Sequence, residues 1–150
     1  MSQIPARQRA FILAVVFTLL LAACGQSQPA ASAPPALSVA AKEFAFAPAA
    51  LTAKAGQPIT ISLQNTGAVE HDWSVREIEI SGEAKSSGDA PSGHMMGSSG
   101  DEPKLHVAAG TGGKGTLTFT PSKPGTYEYY CTVAGHKEAG MVGTLTVAPS

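Results

Sequence analysis

Charge is scarce in this chain of 150 residues. Asp, Glu, Lys and Arg make up 14% of it and almost cancel, leaving a formal net charge of −1. Nucleic acid wants a basic patch, so that class of partner is set aside. Cysteine is scarce too. Cys24 and Cys131 are the only two, too few for a disulfide framework. A single bridge between them is the plain alternative, and it fits poorly, because Cys24 lies in a leader and Cys131 has ligand-type neighbours. Long apolar runs are missing as well. Ala10 to Ala23 is nearly unbroken but falls short of the roughly 20 residues that a spanning helix needs. The glycine-rich turn Gly110 to Gly113 is followed by no Gly-Lys-Ser/Thr ending, which excludes a phosphate loop. The length leaves room for one domain.

Gly, Ala, Ser and Thr are plentiful, and that composition suits an all-β sandwich with many turns better than a helical bundle. The chain opens with Arg7 and Arg9 and no acid, then runs through the apolar stretch to Leu21-Ala22-Ala23-Cys24. A positive start, a short apolar core and small residues before a cut site describe a secretory signal over residues 1–23. Its last four residues resemble a bacterial lipobox. That resemblance implies cleavage before Cys24, lipidation of Cys24, and a domain held at a membrane outside the cytoplasm. An uncleaved signal anchor is the alternative. Gly25 stands where an aspartate would resemble an inner-membrane retention signal, so an outer membrane is open to the protein as well as the cell membrane. Residues 24–36, with Pro29, Pro34 and Pro35, lack core-forming side chains. They read as a flexible tether reaching on the order of 35–40 Å.

Residues 37–150 carry short strand-like runs punctuated by turn residues. Leu37 to Ala41 is a first strand, and Phe44 and Phe46 read as core anchors. Leu51 to Ala55 follows. Ile59, Ile61 and Leu63 alternate with polar residues, as in a strand with one buried face. His71, Trp73 and Val75 share one face, with Asp72, Ser74 and Arg76 on the other. Ser81 to Pro103 reads as a long insertion rich in Gly and Ser. It contains His94-Met95-Met96, either incidental or a transient Cu(I) loading or partner-contact site. Lys104 to Ala108 is a strand whose His106 has no ligand-type neighbours and reads as structural or surface. Leu117 and Phe119 point inward on the next strand. About eight strands in total fit a Greek-key β-sandwich.

The chemistry concentrates in Tyr127 to Val147, a strand, a loop and a strand. Cys131 closes the first strand, His136 sits mid-loop and Met141 opens the second strand. Cys131 shares a face with Tyr127 and Tyr129, and Met141 shares one with Gly143, Leu145 and Val147. A thiolate, an imidazole and a thioether on one short loop are the soft set that copper selects, and His71 is the candidate fourth ligand. Two histidines, a cysteine and a weak axial methionine form the blue-copper electron-transfer site. Zinc also takes Cys and His, but the methionine argues for copper. One cysteine in the loop is too few for a binuclear site.

From Leu37 to Val147 the chain resembles the cupredoxin family, the blue type 1 copper proteins of plastocyanin, azurin, auracyanin and rusticyanin type. The resemblance rests on Tyr129-Tyr130-Cys131, His136 and Gly140-Met141-Val142-Gly143, with His71 in Val69-Glu70-His71-Asp72-Trp73. It implies one type 1 copper held by His71, Cys131, His136 and Met141. It also implies a solvent-edge His136 ringed by Val133, Ala134, Ala139 and Val142. The expected function is a membrane-tethered electron carrier, acting as a monomer. Its expected partners are redox proteins such as c-type cytochromes, quinol-oxidising complexes or terminal oxidases. A copper chaperone or storage module for oxidase assembly is the alternative. A copper enzyme is not expected, because there is no second domain and no second histidine cluster. One departure stands out: Asp72 occupies the place of the family's asparagine after the upstream histidine. It faces Thr132 as an acceptor only, and its charge should favour Cu(II) and lower the potential.

Overall fold

The computed structural model describes residues 33–90 and 102–150, which lie within one unit spanning Ala33–Ser150. Cys24 and His94-Met95-Met96 lie outside the described residues. Among the described residues there are ten strands, β1 Ala36–Lys42, β2 Ala45–Ala47, β3 Ala50–Lys54, β4 Ile59–Asn65, β5 His71–Val75, β6 Lys85–Gly88, β7 Leu105–Ala109, β8 Lys114–Phe119, β9 Gly125–Tyr130 and β10 Val142–Ala148. No helix among the described residues is long and apolar enough to cross a membrane.

The strands form two five-stranded sheets, ordered β2-β1-β4-β8-β6 and β3-β10-β9-β5-β7. Strands distant in sequence become neighbours within each sheet, as a Greek-key sandwich requires. Period-2 patterning explains which faces meet. Ile59, Ile61 and Leu63 on β4 lie buried, as do Leu117 and Phe119 on β8. Across the sandwich they join Trp73, Val75, Tyr129, Leu145 and Val147 in one core. Burying a side chain of this size stabilises by about 1.5–3 kcal/mol.

Three expectations need correcting. The described residues hold ten strands instead of about eight. The extra pieces are short or unpatterned: β2 has three residues, and β6 is the wholly exposed Lys-Ser-Ser-Gly. Part of the expected insertion at 81–103 is therefore sheet, since Lys85–Gly88 pairs antiparallel with β8. Phe46 is a core residue, but Phe44 is 50% exposed. The turn between β1 and β2 holds Phe44 at φ 62, a left-handed conformation that bulky residues rarely adopt.

Candidate metal centre

Two segments deliver the site. The first is the link from β4 into β5. Buried Asn65 ties it down: its amide donates to the carbonyls of Val69 at 2.7 Å and Ala109 at 2.9 Å. Its own oxygen accepts the Gly67 amide at 2.9 Å. This knot fixes where His71 starts its strand, opposite Ala109 on β7. Sequence reasoning passed over Asn65 because an asparagine before a turn is ordinary.

The second segment is the loop between β9 and β10. The Cys131 amide donates to the Met141 carbonyl at 3.2 Å, and the Met141 amide donates to the His136 carbonyl at 2.9 Å. These two bonds tie the three soft side chains to one another through the backbone. Gly135 and Gly140 take positive φ, 81° and 97°, which lets so short a loop turn.

The fold brings His71, Cys131 and His136 together. All three are buried, and their donor atoms lie within 4.8 Å of one another. Donors about 2.0–2.3 Å from one ion stand at most ~4.6 Å apart, so the side chains need close in by only a few tenths of an ångström to share one. Cys131 Sγ is 3.5 Å from His136 Nδ1. The two imidazole centroids are 5.0 Å apart. Met141 is fully buried at the same end of the sandwich. His136 is 8% exposed, less open than expected, because Phe44 meets it edge-on at 5.4 Å. Ala134 and Ala139 beside it are exposed, while Val133 and Val142 are half-buried.

The protein's own hydrogen bonding leaves this cluster unfinished. Both ring nitrogens of His71 are buried without a hydrogen-bond partner. Such orphans are costly, and a metal ion would satisfy one of them. Burial, then the charge of His136, holds His71 below the usual histidine range, so its imidazole is kept neutral and ready to donate a lone pair. Glu43 Oε1 stands 3.8 Å from His71 Nε2 while accepting the Ala68 amide at 2.5 Å. That Ala68 bond, above the other causes, holds the Glu43 carboxyl below its usual range.

Burial, then the Asp72 charge, pushes the Cys131 thiol up to about 12. The thiol therefore keeps its proton until a cation replaces it. Asp72 accepts the Thr132 amide at 3.0 Å on each oxygen and the Thr132 hydroxyl at 2.8 Å. It thus holds the residue after the cysteine, as the sequence suggested.

A ten-strand sandwich with a buried Cys, two His and a Met at one end defines a copper-binding electron-transfer module. The family described as copper binding proteins, plastocyanin/azurin family, matches residues 34–148. The chain belongs to that family: it is a blue copper electron-transfer protein, and its cofactor is one type 1 copper. Auracyanin-A of Chloroflexus aurantiacus is 33% identical over 157 residues, covering 93% of this chain and 96% of that protein. The copper-resistant cuproprotein CopI of Pseudomonas aeruginosa is 32% identical over 151 residues, covering 85% and 83%. The solved structure of auracyanin B superposes with a TM-score of 0.58 at 28% identity, covering 83% of this chain and 97% of that one.

Proposed function

We propose that this protein is a lipid-anchored, extracytoplasmic electron carrier whose copper is held by His71, Cys131, His136 and Met141. The observation that carries the ligand set is the buried three-residue cluster with an unsatisfied histidine, closed by the Cys131–Met141 and Met141–His136 backbone bonds. Copper, alternating between +1 and +2, supplies the redox chemistry. The residues supply a fixed cage: two strands and one tight loop leave little to rearrange when an electron arrives or leaves. Cys24 provides the anchor and residues 24–36 the reach, so that the metal end can meet c-type cytochromes, quinol-oxidising complexes or terminal oxidases. It works as a monomer and catalyses no reaction of its own. The similarity to auracyanins along nearly the whole chain supports the carrier reading.

The similarity to CopI favours a second reading, in which the site handles copper itself. One experiment separates the two. Protein covering residues 25–150 is loaded with Cu(II), freed of excess metal, and cycled with ascorbate and an oxidant before a Cu(I) chelator. A carrier shows an intense blue band that bleaches, returns, and survives the chelator. Loss of copper on reduction would favour copper handling. A colourless protein would mean no thiolate–Cu(II) bond, which would end the carrier reading and leave copper handling in the lead.

A further inference from the structure

His106 reads from sequence as a structural or surface residue, and the fold places it at the outer end of a hydrogen-bond chain that reaches Cys131. β7 runs antiparallel to β5 with His106 opposite Ser74. His106 Nδ1 lies 2.9 Å from Ser74 Oγ. The Ser74 hydroxyl donates to Asp72 Oδ1 at 2.7 Å. Asp72 in turn holds Thr132 and stands 3.5 Å from Cys131 Sγ through Oδ2. Ser74 is fully buried and Asp72 is 2% exposed, so each donor to that carboxylate counts for more than it would in water. The His106 side chain, 36% exposed, is where this chain meets solvent.

The hydrogen inventory gives the chain a direction. A carboxylate accepts only, and a hydroxyl has one hydrogen to give. Ser74 spends its hydrogen on Asp72, so its oxygen must accept from His106, and Nδ1 must carry the ring hydrogen. Every donor then points inward, toward the carboxylate beside the thiolate. An exposed histidine in water prefers its hydrogen on Nε2, so this tautomer is imposed by Ser74.

We propose that His106 and Ser74 are positioning residues for the copper centre: acting through Asp72, they orient its carboxylate, disperse its charge, and set the reduction potential from the protein surface. The proposal rests on the ligand set given above. Removing the Ser74 hydroxyl leaves Oδ1 with the Thr132 amide alone. The negative charge beside Cys131 is then less dispersed, the oxidised centre is favoured, and the potential falls. Removing the His106 ring leaves Ser74 in place but less polarised, so the potential falls by less. An asparagine at 106 offers an amide N–H near the position of Nδ1 and restores the donor.

Redox titration of the copper-loaded full chain, followed through its blue band, tests this. Ser74→Ala should lower the potential, His106→Ala should lower it by a smaller amount, and His106→Asn should return it to the wild-type value. Because the main link runs through Ser74, the double alanine variant should fall short of the sum of the two shifts, any excess over Ser74→Ala reflecting the direct approach of His106 Nδ1 to Asp72 Oδ1 at 3.9 Å. In the metal-free protein, the ¹⁵N shifts of the His106 ring should report hydrogen on Nδ1, moving to Nε2 in Ser74→Ala. A merely structural chain would lower the unfolding temperature of these variants and leave the potential where it was. That result, additive shifts, or an Nε2–H ring in the wild type would overturn the proposal. A protein that stays colourless with copper defeats the function proposed above, and the ring shifts of the metal-free form still decide the relay.

Discussion

At Cys131 the central fact is a proton. Burial and the Asp72 charge push its thiol up to about 12, so at neutral pH metal uptake must displace a hydrogen ion there. Copper affinity should therefore fall about tenfold for each pH unit downward from this thiol alone. A competition titration from about pH 8 to about pH 6, corrected for the chelator's own protonation, checks it. A flat affinity would mean that no thiol proton is exchanged. Cys131→Ser should keep the fold, being close to isosteric, and lose the intense blue band, because the thiolate–copper bond causes that colour. His71 gives a second pH dependence. Its folded value lies below the usual one because burial disfavours the charged ring. The associated stability is then present above the unfolded value of about 6.5 and is lost as pH falls from there through the folded value. The metal-free protein should melt at progressively lower temperature in mild acid. The copper-loaded form should resist until the metal leaves, and thermal scans of both forms measure the difference.

Elements carry the next scale. Strands β9 and β10 place Gly143 directly opposite Tyr129. A Cβ on Gly143 would run into the Tyr129 ring and hydroxyl. That ring cannot step aside easily, since it is fully buried and its hydroxyl donates to the Pro48 carbonyl at 2.9 Å. Gly143→Ala should cost about 1–3 kcal/mol as an overpacked core does. Urea unfolding of the copper-free protein reads this, and an unmoved midpoint would show that Tyr129 yields. Much at this scale was legible in the sequence. The alternation of Ile59, Ile61 and Leu63 marks β4, and the Cys131, His136, Met141 spacing marks the metal loop, because both are local patterns. β6 was not legible, since Lys85–Gly88 has no apolar residue and forms only because β8 offers a partner. Nor were the pairs Ser74–His106 and Glu43–His71, which depend on which strands become neighbours. Phe44 misled for a related reason: a phenylalanine near a strand usually faces the core, and only the turn at φ 62 sends it toward His136.

For the whole molecule, the question is where a partner docks. Long-range steering is weak for a chain of net charge −1, or −3 if Arg7 and Arg9 leave with the leader. The two exposed large hydrophobic residues among the described residues are Phe44, 50% exposed, and Val69, 44% exposed. Both belong to the metal end. Phe44 lies against His136, Val69 precedes His71 by two residues, and Glu43 joins their segments by accepting the Ala68 amide. A small apolar surface around the buried imidazole suits a brief encounter in which dehydration, more than charge, sets the affinity. Electron exchange with a soluble c-type cytochrome should then depend only weakly on salt. Val69→Lys should slow that exchange by about tenfold, equivalent to about 1.4 kcal/mol. It should leave the blue band and the potential unchanged, because Val69 contributes only its backbone carbonyl to the knot at Asn65. Stopped-flow mixing of reduced protein with oxidised cytochrome, at low and high salt, measures the rate. An unchanged rate in Val69→Lys would place docking on another face. A steep salt dependence in the wild type would make charge, despite its scarcity, the feature that partners recognise.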